Sequence, residues 1–335
     1  MTRTQVPAQD AQLTGDLLKS VSRSFYLSLR LLPGALRKPV SLAYLLARAT
    51  DTLADTVQIP AAVRREKLTA LASAIALADG NPVRDLVDGF AGFQADPAEC
   101  QLLNRIPECL RELGRLPEFD RAEIQTVLGK ITRAQELDLE RFGDGTEVRA
   151  LESAAQLDEY TYLIAGCVGE FWTEMCFQHL VAFSDLSKEE MRALGREYGC
   201  GLQLINILRD SHADLRAGRC YLPADELRQN GISPRDVLGR PDAALPVIEE
   251  WLAKAEAGLK AGMKYADAIR HRRVRIATAL PALIGIRTIK DVRSAGDRVL
   301  QEKIKISRSA VRTILARAGI TMGSRNALRR MFETA

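Results

Sequence analysis

Gly199 to Pro223 reads G-C-G-L-Q-L-I-N-I-L-R-D-S-H-A-D-L-R-A-G-R-C-Y-L-P, and the periodicity of this stretch decides the fold class. At about 100° per helical residue, Gln203, Asp210 and Asp214 fall on one narrow stripe with Asn206 beside it. Leu194, Tyr198, Ile205, Leu208 and Leu215 take the opposite side. A helix that is apolar around most of its circumference is buried, so its polar stripe must face a cavity, a ligand or a matching polar surface. Carboxylates four residues apart repel by about a few tenths of a kcal/mol, and burying them unpaired costs far more. Asp210 and Asp214 therefore call for positive charge between them.

Working outward, the same design recurs near the N-terminus. In a helix expected over 39–56, Tyr44, Arg48 and Asp55 lie within about 60° of Asp51, while Leu42, Leu45, Leu46, Ala49 and Leu53 cover the other sides. A single D-x-x-x-D is common and is more often a solvated face. Two of them, each in an apolar helix and each beside arginine, point to a paired site. Ser22-Arg23-Ser24-Phe25 places a basic, hydroxyl-bearing turn inside another apolar helix. Gln135 and Asp138 share a face that could reach a central cavity. Tyr160 to Gly169, Y-T-Y-L-I-A-G-C-V-G, sets small residues near two tyrosines, a pattern of close helix packing or of room for a ligand.

Helical signals dominate the rest, interrupted at Pro33-Gly34, Gly80-Asn81-Pro82, Pro97, Gly143-Asp144-Gly145, Gly231 and Pro241, and no hairpin signal joins alternating runs. The expectation is an all-α bundle with a central cavity. With no repeat and no low-complexity linker, residues 1–335 are expected to form one domain, with 1–12 and 325–335 as flexible ends. The 335 residues are 47% hydrophobic and 27% charged, enough for a sizeable core. Lys plus Arg number 47 against 43 Asp plus Glu, and a net charge of +4 is too small to imply a nucleic-acid partner. Six cysteines without C-x-x-C spacing read as reduced thiols, consistent with a cytoplasmic protein. No run of eighteen apolar residues offers a transmembrane anchor.

Two carboxylate pairs across a cavity suit Mg²⁺, which is usually shared between carboxylates and a substrate's phosphate oxygens. Arg23, Arg48, Arg209 and Arg219 supply forked donors that match phosphate geometry. Apolar walls suit a substrate with an apolar tail, and neutralising a diphosphate makes it a leaving group whose departure from an allylic carbon yields a cation that dry walls protect. Prenyl diphosphates fit this description.

These motifs resemble those of the squalene/phytoene synthase family, the head-to-head prenyltransferases. The matching pieces are S-R-S-F at Ser22–Phe25, Y-x-x-x-R-x-x-D-T-x-x-D over Tyr44–Asp55, Y-x-x-x-x-A-G-x-V-G from Tyr160, and Q-x-x-N-x-x-R-D-x-x-x-D followed by G-R-x-Y-L-P from Gln203. The resemblance implies an isoprenoid synthase fold with Asp51, Asp55, Asn206, Asp210 and Asp214 around Mg²⁺. It implies substrate contacts from Arg23, Ser24, Phe25, Tyr44, Arg48, Gln203, Asn206, Arg209, Arg219 and Tyr221, with Tyr160 assisting proton transfer or diphosphate departure. Ala213 stands where the family often carries a glutamate.

Within the family, D-T-L-A-D at Asp51–Asp55, A-L-P-A-L-I-G-I-R-T from Ala279 and K-I-K-I-S-R from Lys303 look most like squalene synthases. That likeness implies condensation of two farnesyl diphosphates to presqualene diphosphate and reduction to squalene by NADPH, with Asn206, Arg209, Lys303, Lys305 and Arg308 toward the cofactor. Non-reducing phytoene or dehydrosqualene synthases, or a presqualene diphosphate synthase, are the alternatives. A hydrocarbon product leaves room for peripheral membrane contact, and the basic stretch Arg325–Arg330 could touch anionic lipid, although a solvated helix end is its more ordinary reading. A helical scaffold or nucleic-acid-binding protein would account for the arginine-rich last third but leaves both aspartate pairs without a role.

Overall fold

The computed structural model describes residues 12–22, 25–78, 89–145 and 147–334. The described chain is helical almost throughout, the all-α class expected from the sequence. Strand is confined to β1 (Arg149–Ala150) and β2 (Arg219–Cys220), a two-residue parallel pair that carries no alternating pattern long enough to be read beforehand. Contacts gather the residues into two compact units, Met1–Asp144 and Gly145–Ala335.

The first unit is built on α1 (Gly34–Asp55), α2 (Ala61–Leu77) and α3 (Glu118–Phe142), with α1 packed against both others. Leu42, Leu45, Leu46, Ala49 and Leu53 are all buried, the apolar faces read from the periodicity. Helix α1 starts five residues before Pro39, which lies inside it. Proline there removes one hydrogen bond, and the burial of Leu36 and Val40 on either side favours the helix despite that loss. At the far end of α3, Asp144 accepts from Ala61 N and from Arg64 Nη2, both at 2.6 Å, and so caps α2.

In the second unit, α5 (Lys188–Arg216) is flanked by α4 (Cys167–His179), α6 (Leu245–Ala268) and α7 (Arg272–Ala295). A capping box of Ser187 and Glu190 starts α5. Close approach is the reason for its glycines. A Cβ on Gly169 would lie 1.8 Å from Gly195 O, and Gly201 meets Gly258 so closely that a Cβ would sit 2.8 Å from its Cα. Tyr162–Gly166 runs as a π-helical turn into α4, a local widening common beside functional sites. Pro281 sits within the continuous helix α7. The C-terminal stretch expected as a loose end instead forms a helix, Arg325–Glu333, because Leu328, Met331 and Phe332 share a face and are buried.

Candidate functional site

In the first unit, the C-terminal half of α1 presents Tyr44, Arg48, Asp51 and Asp55. Tyr44, Arg48 and Asp51 are half-buried and Asp55 is exposed. Tyr44 Oη donates to Val21 O at 3.3 Å. Arg48 pairs with Glu99 of the helix Pro97–Asn104, a carboxylate the sequence reading did not single out. Gln135 of α3 donates from Nε2 to Asp51 Oδ1 at 2.5 Å, which turns the weak signal at that position into a contact. Burial and the neighbouring charge of Asp55 push the Asp51 carboxyl up to about 7, against the opposing pull of Arg48 and Gln135. Arg23 and Ser24 lie outside the described residues, and Phe25 opens the helix Phe25–Leu31.

In the second unit, Gln203, Asn206, Arg209, Asp210 and Asp214 all stand on α5. Tyr198, Ile205, Leu208 and Leu215 are buried and Leu194 half-buried, whereas Asn206 is exposed. Gln203, Asp210 and Asp214 beside it are half-buried, and Asn206 Nδ2 reaches Gln203 Oε1 at 3.5 Å. The positive charge demanded by the aspartates comes from the chain itself. Arg209 grips Asp210 with Nε at 3.1 Å and Nη2 at 2.5 Å, and Arg219 Nη2 holds Asp214 at 2.8 Å.

The short strands explain how Arg219 reaches that position. Gly218, at φ +78°, turns the chain back after α5, and Arg149 N donates to Gly218 O at 2.9 Å while Leu151 N donates to Cys220 O at 3.1 Å. The same return stacks Tyr221 on Tyr160, ring centroids 5.0 Å apart, both rings more than nine-tenths buried. Lys303 and Lys305 are exposed in an extended segment, alternating with half-buried Ile304 and Ile306, and Arg308 begins the helix Arg308–Ile320. Arg216 Nη2 donates to Gln301 O at 3.3 Å, which fastens this segment to the aspartate end of α5.

Among the described residues, no three His, Cys, Asp or Glu side chains cluster in a geometry that could hold a metal ion within one group. The donors nevertheless suit a hard cation. Gln135 Oε1 is a buried oxygen with no hydrogen-bond partner beside Asp51, and the raised Asp51 marks a place where added positive charge is favourable.

The model of the squalene/phytoene synthase family matches residues 18–310. A bifunctional lycopene cyclase/phytoene synthase of Colletotrichum graminicola is 30% identical over 229 residues, 68% of this chain but only 36% of that protein. The chain therefore spans about a third of the length of such relatives. The squalene synthase of Schizosaccharomyces pombe is 26% identical over 307 residues, covering 89% of this chain and 63% of the relative. Among solved structures, TcSQS in complex with BPH1237 superposes with a TM-score of 0.78 at 21% identity, covering 97% of this chain and 90% of that one. A dehydrosqualene synthase bound to a ligand gives 0.65 at 20% identity over 94% of this chain and 96% of that one. These likenesses give the fold as that of the isoprenoid synthases. With the motifs falling inside the matched span, the chain belongs to the squalene/phytoene synthase family of head-to-head prenyltransferases.

Proposed function

We propose that this protein condenses two molecules of farnesyl diphosphate head to head into presqualene diphosphate and converts that product to squalene with NADPH. The observation that carries the reading is a pair of aspartates four residues apart, with arginine close by, on each of two helices. Arg48 precedes Asp51 and Asp55 on α1, and Arg209 and Arg219 hold Asp210 and Asp214 in the second unit. Both units are taken to serve one reaction, as the single 1–335 domain inferred from the sequence.

Asp51, Asp55, Asn206, Asp210 and Asp214 would hold Mg²⁺, which supplies charge neutralisation for a departing diphosphate. Arg23, Arg48, Arg209 and Arg219 would bind phosphate oxygens, and the arginines now on aspartates would exchange one anionic partner for another. Ser24, Phe25, Tyr44, Gln203 and Tyr221 would line the substrate. Tyr160 would give or take a proton through its hydroxyl, oriented by its stack on Tyr221. Asn206, Arg209, Lys303, Lys305 and Arg308 would face NADPH, whose part is to deliver hydride. The fastening of Gln301 to Arg216 supports bringing that basic run to this end of α5.

A second reading stops before reduction, as a phytoene or dehydrosqualene synthase, and the 30% identity to phytoene synthase relatives favours it over some of the chain. Incubation of the purified protein with farnesyl diphosphate and Mg²⁺, with and without NADPH, separates the two. Squalene formed only with NADPH supports the first reading. Dehydrosqualene or presqualene diphosphate formed regardless of NADPH supports the second.

A further inference from the structure

At the end of the second unit where α5 begins, four arginines surround one open cavity of about 660 Å³. Arg270, Arg272, Arg275 and Arg325 line it with a single carboxylate, Asp185. Asp185 is shared: Arg270 Nε donates to one of its oxygens at 2.6 Å and Arg325 Nη2 to the other at 2.5 Å. Arg275 is 7% exposed, and its hydrogen bonds go to main-chain carbonyls of Ile269, Arg270 and Gly323. Arg272 makes no ion pair among the described residues, and the nearby Asp267 is taken by Arg329. Arg325 also keeps a buried Nε with no partner. Positive charge in this cavity thus exceeds its compensation, and burial together with the charge of Arg325 lowers the pKa of Arg275.

This place is remote from the aspartates. Asp185 precedes α5, and the rise from Lys188 to Asp210 at about 1.5 Å per residue is about 33 Å. The lining also includes the polar Thr321, Ser324 and Asn326, and bare apolar side chains stand on the segments next to it. Val181 is 91% exposed, Ile320 80% and Met322 69%. Met322 lines the cavity, Ile320 lies two residues before it, and His271 Nε2, between two of the arginines in sequence, sits 3.0 Å from Val181 O. Aliphatic side chains held in water beside unneutralised guanidiniums match a surface that offers phosphate and hydrocarbon together.

We propose that this face docks on an anionic bilayer, the arginine cavity receiving a lipid headgroup phosphate while Val181, Ile320 and Met322 enter the interface. The assignment is independent of which prenyl product the protein makes. The test is co-sedimentation of the full chain with phosphatidylcholine vesicles, with and without phosphatidylglycerol. Wild-type protein sediments with the anionic vesicles only, and added salt releases it. Arg272→Glu, at an exposed residue with no ion pair to lose, weakens partitioning by about tenfold or more. Val181→Ser with Met322→Asn, the latter compatible with the left-handed backbone at that position, weakens it without changing Tm. Turnover of detergent-solubilised substrate stays at the wild-type level in both variants. Equal sedimentation of wild type and Arg272→Glu overturns the assignment, and so does parallel loss of turnover. If inorganic pyrophosphate raises Tm in an Arg272-dependent way while vesicles leave the protein in the supernatant, the cavity is a soluble-phosphate site and the lipid assignment fails.

Discussion

Asp51 is the residue on which charge, packing and chemistry meet. Its carboxyl is raised because burial and Asp55 both disfavour the anion, so the folded protein holds a proton there up to about pH 7 that the unfolded chain releases near 4. Between those values the native state binds more protons than the unfolded one, and this group's contribution to stability falls as pH rises. Replacing Asp51 with Asn removes the ionisation. We expect Tm of the metal-free variant to decline less than wild type from about pH 4 to about pH 7, measured by thermal unfolding across that range. An unchanged slope would show that Asp51 is not raised. Arg219 makes a complementary prediction. Arg219→Ala removes the 2.8 Å partner of Asp214 and, in the proposed site, a phosphate donor, so kcat/KM for farnesyl diphosphate should drop by about tenfold to a hundredfold with the fold retained by circular dichroism. Activity within twofold of wild type would remove Arg219 from the reaction. Both aspartate pairs were legible as side-chain types at fixed helical spacing, and this arginine as part of the stretch that follows the second pair. Glu99 was not, because nothing in the spacing of its own short helix distinguishes it from a solvated glutamate, and only packing sets it against Arg48.

At the scale of elements, α5 presents its aspartate stripe on the face that remains when its other faces are committed to packing. Its stripe of glycines lets α4 and α6 approach to backbone contact, which holds the aspartate-bearing helix rigidly in place. Gly169→Ala tests this. Its new methyl would fall 1.8 Å from Gly195 O and 2.3 Å from Gly195 C, main-chain atoms that cannot step aside as a side-chain tip can. The expected cost is about 2 kcal/mol, read as a Tm lowered by several degrees. A Tm equal to wild type would mean that the helices separate freely. The sequence offered two accounts of the small residues in Tyr160–Gly169, packing or ligand space, and the contacts favour packing at Gly169. Asp144 shows the converse, a residue read from sequence only as part of a loop. It caps α2 and neutralises buried Arg64 from the end of α3.

For the whole molecule, family membership rests on motifs spread over residues 18–310, and the all-α fold on contacts throughout the described chain. Among the described residues no helix is long and apolar enough to cross a membrane. If the aspartate motifs hold Mg²⁺ and diphosphate, Mg²⁺ with pyrophosphate should raise Tm and a chelator should reverse the gain. The gain should be larger at about pH 8 than at about pH 5, because Asp51 must lose its proton to bind a cation. Stabilisation absent at both pH values would count against the metal assignment. Periodicity alone determined the helices, their buried faces and the stripes that carry aspartate and arginine, since a 3.6-residue repeat is a local property of the chain. What holds Asp51 and Arg48 was decided only by tertiary structure. Gln135 and Asp51 are 84 residues apart, Arg48 and Glu99 are 51 apart, and partners so distant meet only when helices pack. The same holds for the opening stretch, where spacing demanded positive charge for Asp210 and Asp214, and a turn at Gly218 pinned by β1 delivered Arg219 to meet it.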